Sequence, residues 1–187
     1  MLFDEKIRNF APLQRVGGGS PGFLLLFKSI MIDKQLLTST VLEAIADTDI
    51  FLVDITVSPA NAIVVEIDSP AGIDIDTCAG ITRRIESVFD RDVEDYELEV
   101  GSAGLTAPFK VLQQYLKNVG NEVEVLTADG RKFTGILQQV DSTTGAFTVA
   151  VPTKVKHEGQ KRPVIEDVPY DLTPAQCKYV KYNINFK

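Results

Sequence analysis

At Gly101-Ser102-Ala103-Gly104 the hydrophobic pattern of this chain changes period. Upstream, helical and strand patterns alternate; downstream, one connecting helical stretch is followed by short strands separated by turn residues. A single layer cannot accommodate both patterns, so the sequence predicts two packed units joined at this point. In the upstream part, Leu37, Val41 and Ile45 recur every fourth residue, flanked by Leu36 and Leu42, with Asp33 placed to accept a free N–H of the first turn. Phe51–Val57 and Ala62–Ile67 are rich in Val and Ile. Ser58-Pro59-Ala60-Asn61 between them predicts a hairpin, which Asp68-Ser69-Pro70-Ala71-Gly72 ends. A second helix is expected from Asp74 to Phe89, with Cys78, Ile81, Ile85 and Val88 on one stripe. Tyr96, Leu98 and Val100 then alternate with Glu97 and Glu99, the mark of a half-buried strand that the glycine-rich stretch breaks. The order is α-β-β-α-β, an α+β layer domain.

Downstream, Pro108–Lys117 reads as a connecting helix with Phe109, Leu112 and Leu116 on one side. Glu122–Leu126, Phe133–Val140, Ala146–Val151 and Val164–Val168 read as strands, punctuated by Asp129-Gly130, Thr144-Gly145 and the polar stretch 154–163. Thr173-Pro174 starts a turn, and Ala175–Phe186 supplies a closing strand. Strands of this length and spacing predict a small β-barrel. The expected boundaries are an extension at 1–30, an acidic α/β domain at 31–106, a connecting helix at 107–118 and a barrel at 119–187. The extension carries Gly17, Gly18 and Gly19 and the short apolar run Phe23–Phe27, too brief for a secretory signal. Two readings stand for it: a non-native or disordered extension with Met31 as the natural start, or an amphipathic tail that docks on a partner.

Charge separates the two parts further. The 187 residues carry a net charge of −7, but residues 31–106 hold 4 basic against 16 acidic side chains and residues 107–187 hold 11 against 8. That is −12 beside +3. An acidic domain of this kind suits a basic protein partner, and a mildly basic barrel suits RNA; a plain solubilising surface is the competing reading. The chemistry open to the chain is narrow. It has one histidine, His157, and two cysteines, Cys78 and Cys177, too few for a zinc CxxC site or a disulfide framework. No run of 18 apolar residues is present to form a membrane-spanning helix. A soluble cytoplasmic protein is the expectation.

Several motifs match a chemistry in form only. Gly17-x-Gly19-x-x-Gly22 has dinucleotide-binding spacing, but Pro21 lies inside it, little strand pattern precedes it and no parallel βαβ unit follows it. Ser102 has Val100, not glycine, two residues before it, and so lacks the nucleophile-elbow pattern. Asp68, Asp74 and Asp76 fail the EF-hand template, and helix capping accounts for Asp74 and Asp76. Arg83 and Arg84 are expected to pair within their helix with Asp74, Asp76 and Glu86. Lys154, Lys156, His157, Lys161 and Arg162 form the one basic cluster. It is either a solvated hairpin tip or the place where a barrel touches phosphate. No catalytic, cofactor-binding or metal residue is assigned.

The run Tyr96-Glu97-Leu98-Glu99-Val100-Gly101-Ser102-Ala103-Gly104-Leu105, followed by Pro108, resembles the domain-junction motif Leu-Glu-Val-Ser-Ser-Pro-Gly-Leu of the ribosome maturation factor RimP family. Asp76-Thr77-Cys78, Gly120, Val123, Val125, Gly130, Gly135 and Leu137 extend the likeness, which covers residues 31–187. Ala103 stands in place of the family's Pro, and Thr106-Ala107 in place of its Asp-Arg. The resemblance implies an α/β domain followed by an SH3/Sm-like barrel. It also implies a non-enzymatic, monomeric factor that binds the immature small ribosomal subunit and helps install a basic ribosomal protein of the decoding region.

Combined with the charge separation, this makes Glu94, Asp95, Glu97 and Glu99, with Gly101, Ser102, Gly104 and Leu105 of the junction, the expected partner-binding surface. Lys154, Lys156, Lys161 and Arg162 are the expected RNA contact. A stand-alone Sm-like RNA-binding regulator is the alternative.

Overall fold

The computed structural model describes residues 32–156 and 162–184. The reading of residues 1–30, together with His157, Lys161 and Phe186, lies outside the described residues. Asp33 starts α1 (Lys34–Ile45) by accepting from the N–H of Gln35 at 2.8 Å and of Leu36 at 3.2 Å. Strands β1 (Phe51–Val57) and β2 (Ala62–Asp68) form the expected hairpin. Its turn is held by Asn61 at φ 57°, a left-handed position that asparagine tolerates. Asp74 caps α2 (Ile75–Glu86) through the N–H of Thr77 at 2.7 Å, while Asp76 sits in the first turn, where the helix dipole favours acid.

Strand β3 (Glu97–Ser102) pairs in parallel with β2, so, contrary to the sequence reading that no parallel βαβ unit follows residues 17–22, β2–α2–β3 is one, and the sheet order is β1-β2-β3. Three further points differ from the sequence reading. The strand runs through Gly101 and Ser102, paired with Glu66 and Ile67, and the break comes only at Ala103. Helix α2 stops at Glu86, leaving Val88 outside it and 38% exposed. Arg84 reaches Glu43 on α1 at 3.1 Å, whereas Glu86 is taken by Arg91 at 3.0 Å, so the helix pairs outward and not within itself. Leu37, Val41 and Ile45 of α1, Ile81 and Ile85 of α2, and Ile55, Ile63, Val65 and Ile67 of the sheet form one buried cluster. Both helices therefore cover the same face of the sheet.

The connecting segment is helical only over α3 (Leu112–Lys117); Pro108 bridges Lys181 and Phe109 donates to the carbonyl of Val180 at 2.7 Å. Gln114 explains the late start. Its side-chain oxygen accepts from the N–H of Lys110 at 2.6 Å and of Val111 at 3.3 Å, holding those residues extended. Gln114 and Tyr115 are the buried residues of the helix, Tyr115 wedged between the rings of Phe109 and Phe147, and Leu116 turns outward at 43% exposure, against expectation.

Strands β4 (Glu122–Thr127), β5 (Lys132–Val140), β6 (Phe147–Val155), β7 (Val164–Leu172) and β8 (Cys177–Tyr182), with a 3-10 turn at Pro174–Gln176, form an antiparallel sheet of order β7-β6-β5-β4-β8. The strands are as expected, most of them longer than the sequence suggested. Their hydrogen bonds describe a five-stranded sheet with β7 and β8 at its two ends rather than a closed barrel. Val123, Val125, Leu137, Val149 and Val180, with Phe147 and Tyr115, form a second buried cluster; among the described residues the two clusters share no member. The fold is mixed α+β, with three helices and two sheets.

Candidate partner-binding surface

Strand periodicity sends alternate side chains to opposite faces of a sheet. Leu98 and Val100 of β3 pack on the helix-covered core. Glu97 and Glu99 consequently project from the face opposite α1 and α2, and both are exposed. The parallel register sets Glu97 beside Ala62, Glu99 beside Val64 and Gly101 beside Glu66, and the antiparallel register sets Glu66 beside Asp54. One face of the sheet thus carries Asp54, Glu66, Glu97 and Glu99, with Asp68 next along β2.

The acids on this face are not equivalent. Lys110 Nζ donates to Asp54 at 2.8 Å and to Glu66 at 2.7 Å, and Lys117 Nζ donates to Asp68 at 2.7 Å. Asp54 and Glu66 lie directly opposite one another across the strands, where two like charges repel, and the shared ammonium offsets that repulsion. None of these lysine contacts was foreseen from the sequence. Lys110 is 56 residues from Asp54 and 44 from Glu66, and no local pattern links positions so far apart.

The hydrogen bond from Lys110 holds the Asp54 carboxyl below its ordinary value, against a smaller upward push from burial; Lys34 adds a weak downward pull. Reciprocally, hydrogen bonds to Asp54 and then Glu66 raise the Lys110 ammonium above 10.5. A lowered carboxyl favours the paired form above its unfolded value of 3.8 and loses that advantage as pH falls through the lower, folded value. A raised lysine favours it below 10.5 and loses it above the raised value. The pairing is therefore expected to be constant from pH 5 to pH 9. A carboxyl-carbon NMR titration should place the Asp54 midpoint below 3.8 and return it toward 3.8 in Lys110→Gln. An unmoved midpoint in that variant would show that Lys110 does not hold Asp54.

Of the remaining expected residues, Glu94 is engaged within the chain. It accepts from the Asn61 side-chain amide at 3.1 Å, and the same amide donates to the Asp95 carbonyl at 3.3 Å. These bonds tie the β1–β2 turn to the loop before β3. Asp95 remains exposed, as does Ser102, and Leu105 is 65% exposed. The junction runs through a groove lined by Asp68, Ser102, Gly104, Phe109, Lys117 and Tyr182. Lys154 and Lys156 stand exposed at the end of β6, and Arg162 stands exposed before β7. The Lys154–Ile165 and Val155–Val164 pairs make this the tip of the β6–β7 hairpin. Among the described residues, no group of three or more His, Cys, Asp or Glu side chains is placed to hold a metal. Nor, among them, is any helix long and apolar enough to cross a membrane.

The junction strand and its exposed acids fall within a stretch that a known family matches. The family model described as the RimP N-terminal domain matches residues 40–106. A ribosome maturation factor RimP from Porphyromonas gingivalis is 41% identical over 148 residues, covering 79% of this chain and 96% of that protein. The chain belongs to the RimP family. A ribosome maturation factor RimP from Cytophaga hutchinsonii is 33% identical over 148 residues, 74% of this chain and 88% of that protein. Another, from Flavobacterium psychrophilum, is 36% identical over 80 residues, 43% of this chain and 52% of that protein. The first two of these alignments cover 96% and 88% of the relative's own length.

Proposed function

We propose that this RimP-family protein is a non-enzymatic, cytoplasmic ribosome assembly factor that matures the small subunit. In this reading it acts as a monomer of two domains, an acidic α/β domain and an SH3/Sm-like barrel. The acidic domain docks a basic ribosomal protein of the decoding region, and the barrel contacts the pre-subunit. The observation that carries the reading is the exposed pair Glu97 and Glu99, on the sheet face opposite α1 and α2, in a segment with a net charge of −12. Complementary charge of this kind speeds encounter and selects partners more than it adds affinity. Asp95 extends the acidic edge, and Gly101, Ser102, Gly104 and Leu105 continue it toward the barrel.

Two features support the barrel. Its chain order, a short helix followed by five strands in the order β7-β6-β5-β4-β8, places the last strand beside the first. At Gly135 the backbone of β6 comes so close that no side chain fits, as in a sharply bent sheet. Lys154, Lys156 and Arg162 at the hairpin tip, with Lys161, are the phosphate contact in this reading. An RNA contact of that kind weakens steeply with salt.

The test is the double variant Glu97→Lys/Glu99→Lys, titrated with purified basic small-subunit proteins. We expect at least about tenfold weaker binding of the cognate protein and a slower association rate, as expected for charge reversal at a steering surface. Binding at the original affinity and rate would remove this face from the interface. Sedimentation of cell extract tests the wider reading. Comigration with free small subunits but not with assembled ribosomes supports it, and recovery only with free RNA favours the Sm-like regulator.

A further inference from the structure

Each sheet carries its own buried cluster, and the chain between them is short. Ala103 still belongs to the first unit, donating to the carbonyl of Ile67 at 2.9 Å. Pro108 and Phe109 already belong to the second, through Lys181 and Val180 of β8. That leaves residues 104–107 as the covalent hinge, closed on itself by the N–H of Ala107 donating to the carbonyl of Gly104 at 2.8 Å. Lys110 and Lys117 sit just beyond it, and both are fixed to the second unit: Lys110 by its N–H to Gln114, Lys117 by its place on α3. Both side chains reach back across the hinge to Asp54, Glu66 and Asp68 on the first.

We propose that Lys110 and Lys117 are an electrostatic latch that sets the orientation of the C-terminal sheet relative to the N-terminal sheet, and that ionic strength opens it. Ion pairs at a surface are individually weak. Here they act across a four-residue hinge, where closure is intramolecular and incurs no fresh cost of association. The two arms differ in exposure. Lys110 is 42% exposed and its partners 35% and 33%, whereas Lys117 and Asp68 are 25% and 12% exposed. Salt therefore screens the Lys110 arm first and the Lys117 arm later. Glu97 and Glu99 accept from neither lysine, so the latch stands whether or not they dock a partner.

The experiment uses the full chain with Asp47→Cys and Gln139→Cys, exposed positions one on each unit, in a Cys78→Ser/Cys177→Ser background. A donor and an acceptor fluorophore on the new cysteines report the distance distribution by time-resolved energy transfer. At about 0.05 M NaCl a single narrow distribution is expected, broadening at about 1 M, where the screening length falls to about 3 Å. Lys110→Gln/Lys117→Gln should be about twofold broader already at low salt, while Lys110→Arg/Lys117→Arg, which keeps both charges, stays narrow. Amide NMR spectra establish that both cores remain folded in each variant. Exchanging the partners, Lys117→Asp with Asp68→Lys, should restore part of the narrowing lost in Lys117→Asp alone. A broad distribution in the unaltered chain at low salt, or a narrow one in the glutamine variant, overturns the latch.

Discussion

Replacing Gly135 by alanine is expected to destabilise the C-terminal sheet by about 3 kcal/mol, the upper end of the usual cost of overpacking. The position is buried in β5, opposite Val123 of β4. A Cβ placed there would lie 2.8 Å from Val149 Cγ1 and 3.0 Å from the carbonyl carbon of Ala150, with that carbonyl's oxygen nearer still. Two of the three obstructing atoms are backbone of β6, which cannot swing aside as a side-chain tip can, so relief requires the β5–β6 pairing to shift. Gly101→Ala is the control, since nothing lies within 4 Å of its Cβ position and its backbone is ordinary strand. It should be neutral or stabilising by about 0.5 kcal/mol through the unfolded chain. Denaturant unfolding followed by tyrosine fluorescence measures both, the chain having five tyrosines and no tryptophan. Equal stability of the two variants would mean that the close approach at Gly135 is not real.

Leu37→Ala is expected to cost the N-terminal unit about 2–5 kcal/mol, the range for deleting most of a fully buried leucine side chain. Leu37 has no exposed surface and packs in the cluster formed by Val41, Ile45, Ile55 and Ile85. Apart from Tyr96, the other buried members of that cluster are β-branched and stiff at χ1, which limits how far they can move to fill the void. Leu37→Met, which nearly conserves volume, should cost less than about 1.5 kcal/mol. The more informative result is where the damage stops. Because the two clusters share no member, amide resonances of β4–β8 should persist under conditions in which those of α1, α2 and β1–β3 have broadened or vanished. Simultaneous loss of both sets would argue against the division into two domains.

The elements of the first unit were readable because each carries a local signal: the four-residue spacing of Leu37, Val41 and Ile45, the caps at Asp33 and Asp74, the turn at 58–61, and the alternation around Leu98. Strand direction was not readable. Nothing within β2 or β3 states whether they run parallel; only the long connection through α2, too long for a hairpin, hints at a crossover. The short connecting helix was misread for a different reason. Phe109, Leu112 and Leu116 fit a helical stripe, but Gln114 binds the backbone at 110 and 111 and Tyr115 takes the buried position instead. Exposure of Glu97 and Glu99 follows from alternation alone. The capture of Asp54, Glu66 and Asp68 by lysines depends on how two distant segments meet, and no local pattern records that. The family likeness at residues 96–108 was legible because a junction motif is contiguous.

The pairing of β8 with β4 has a consequence for how the protein is made. The first sheet has all its strands once Ser102 has been synthesised. The second does not. It begins with β4 at Glu122, yet β4 gains its other neighbour only when Cys177–Tyr182 arrives, after every other strand. Until then Val123 and Val125 lie in an open-edged, incomplete sheet, and contacts this distant in sequence are slow to form. Synthesis from the N-terminus thus completes the strands of the acidic sheet early and those of its neighbour last, which lengthens the time for which the second sheet's open edge is exposed.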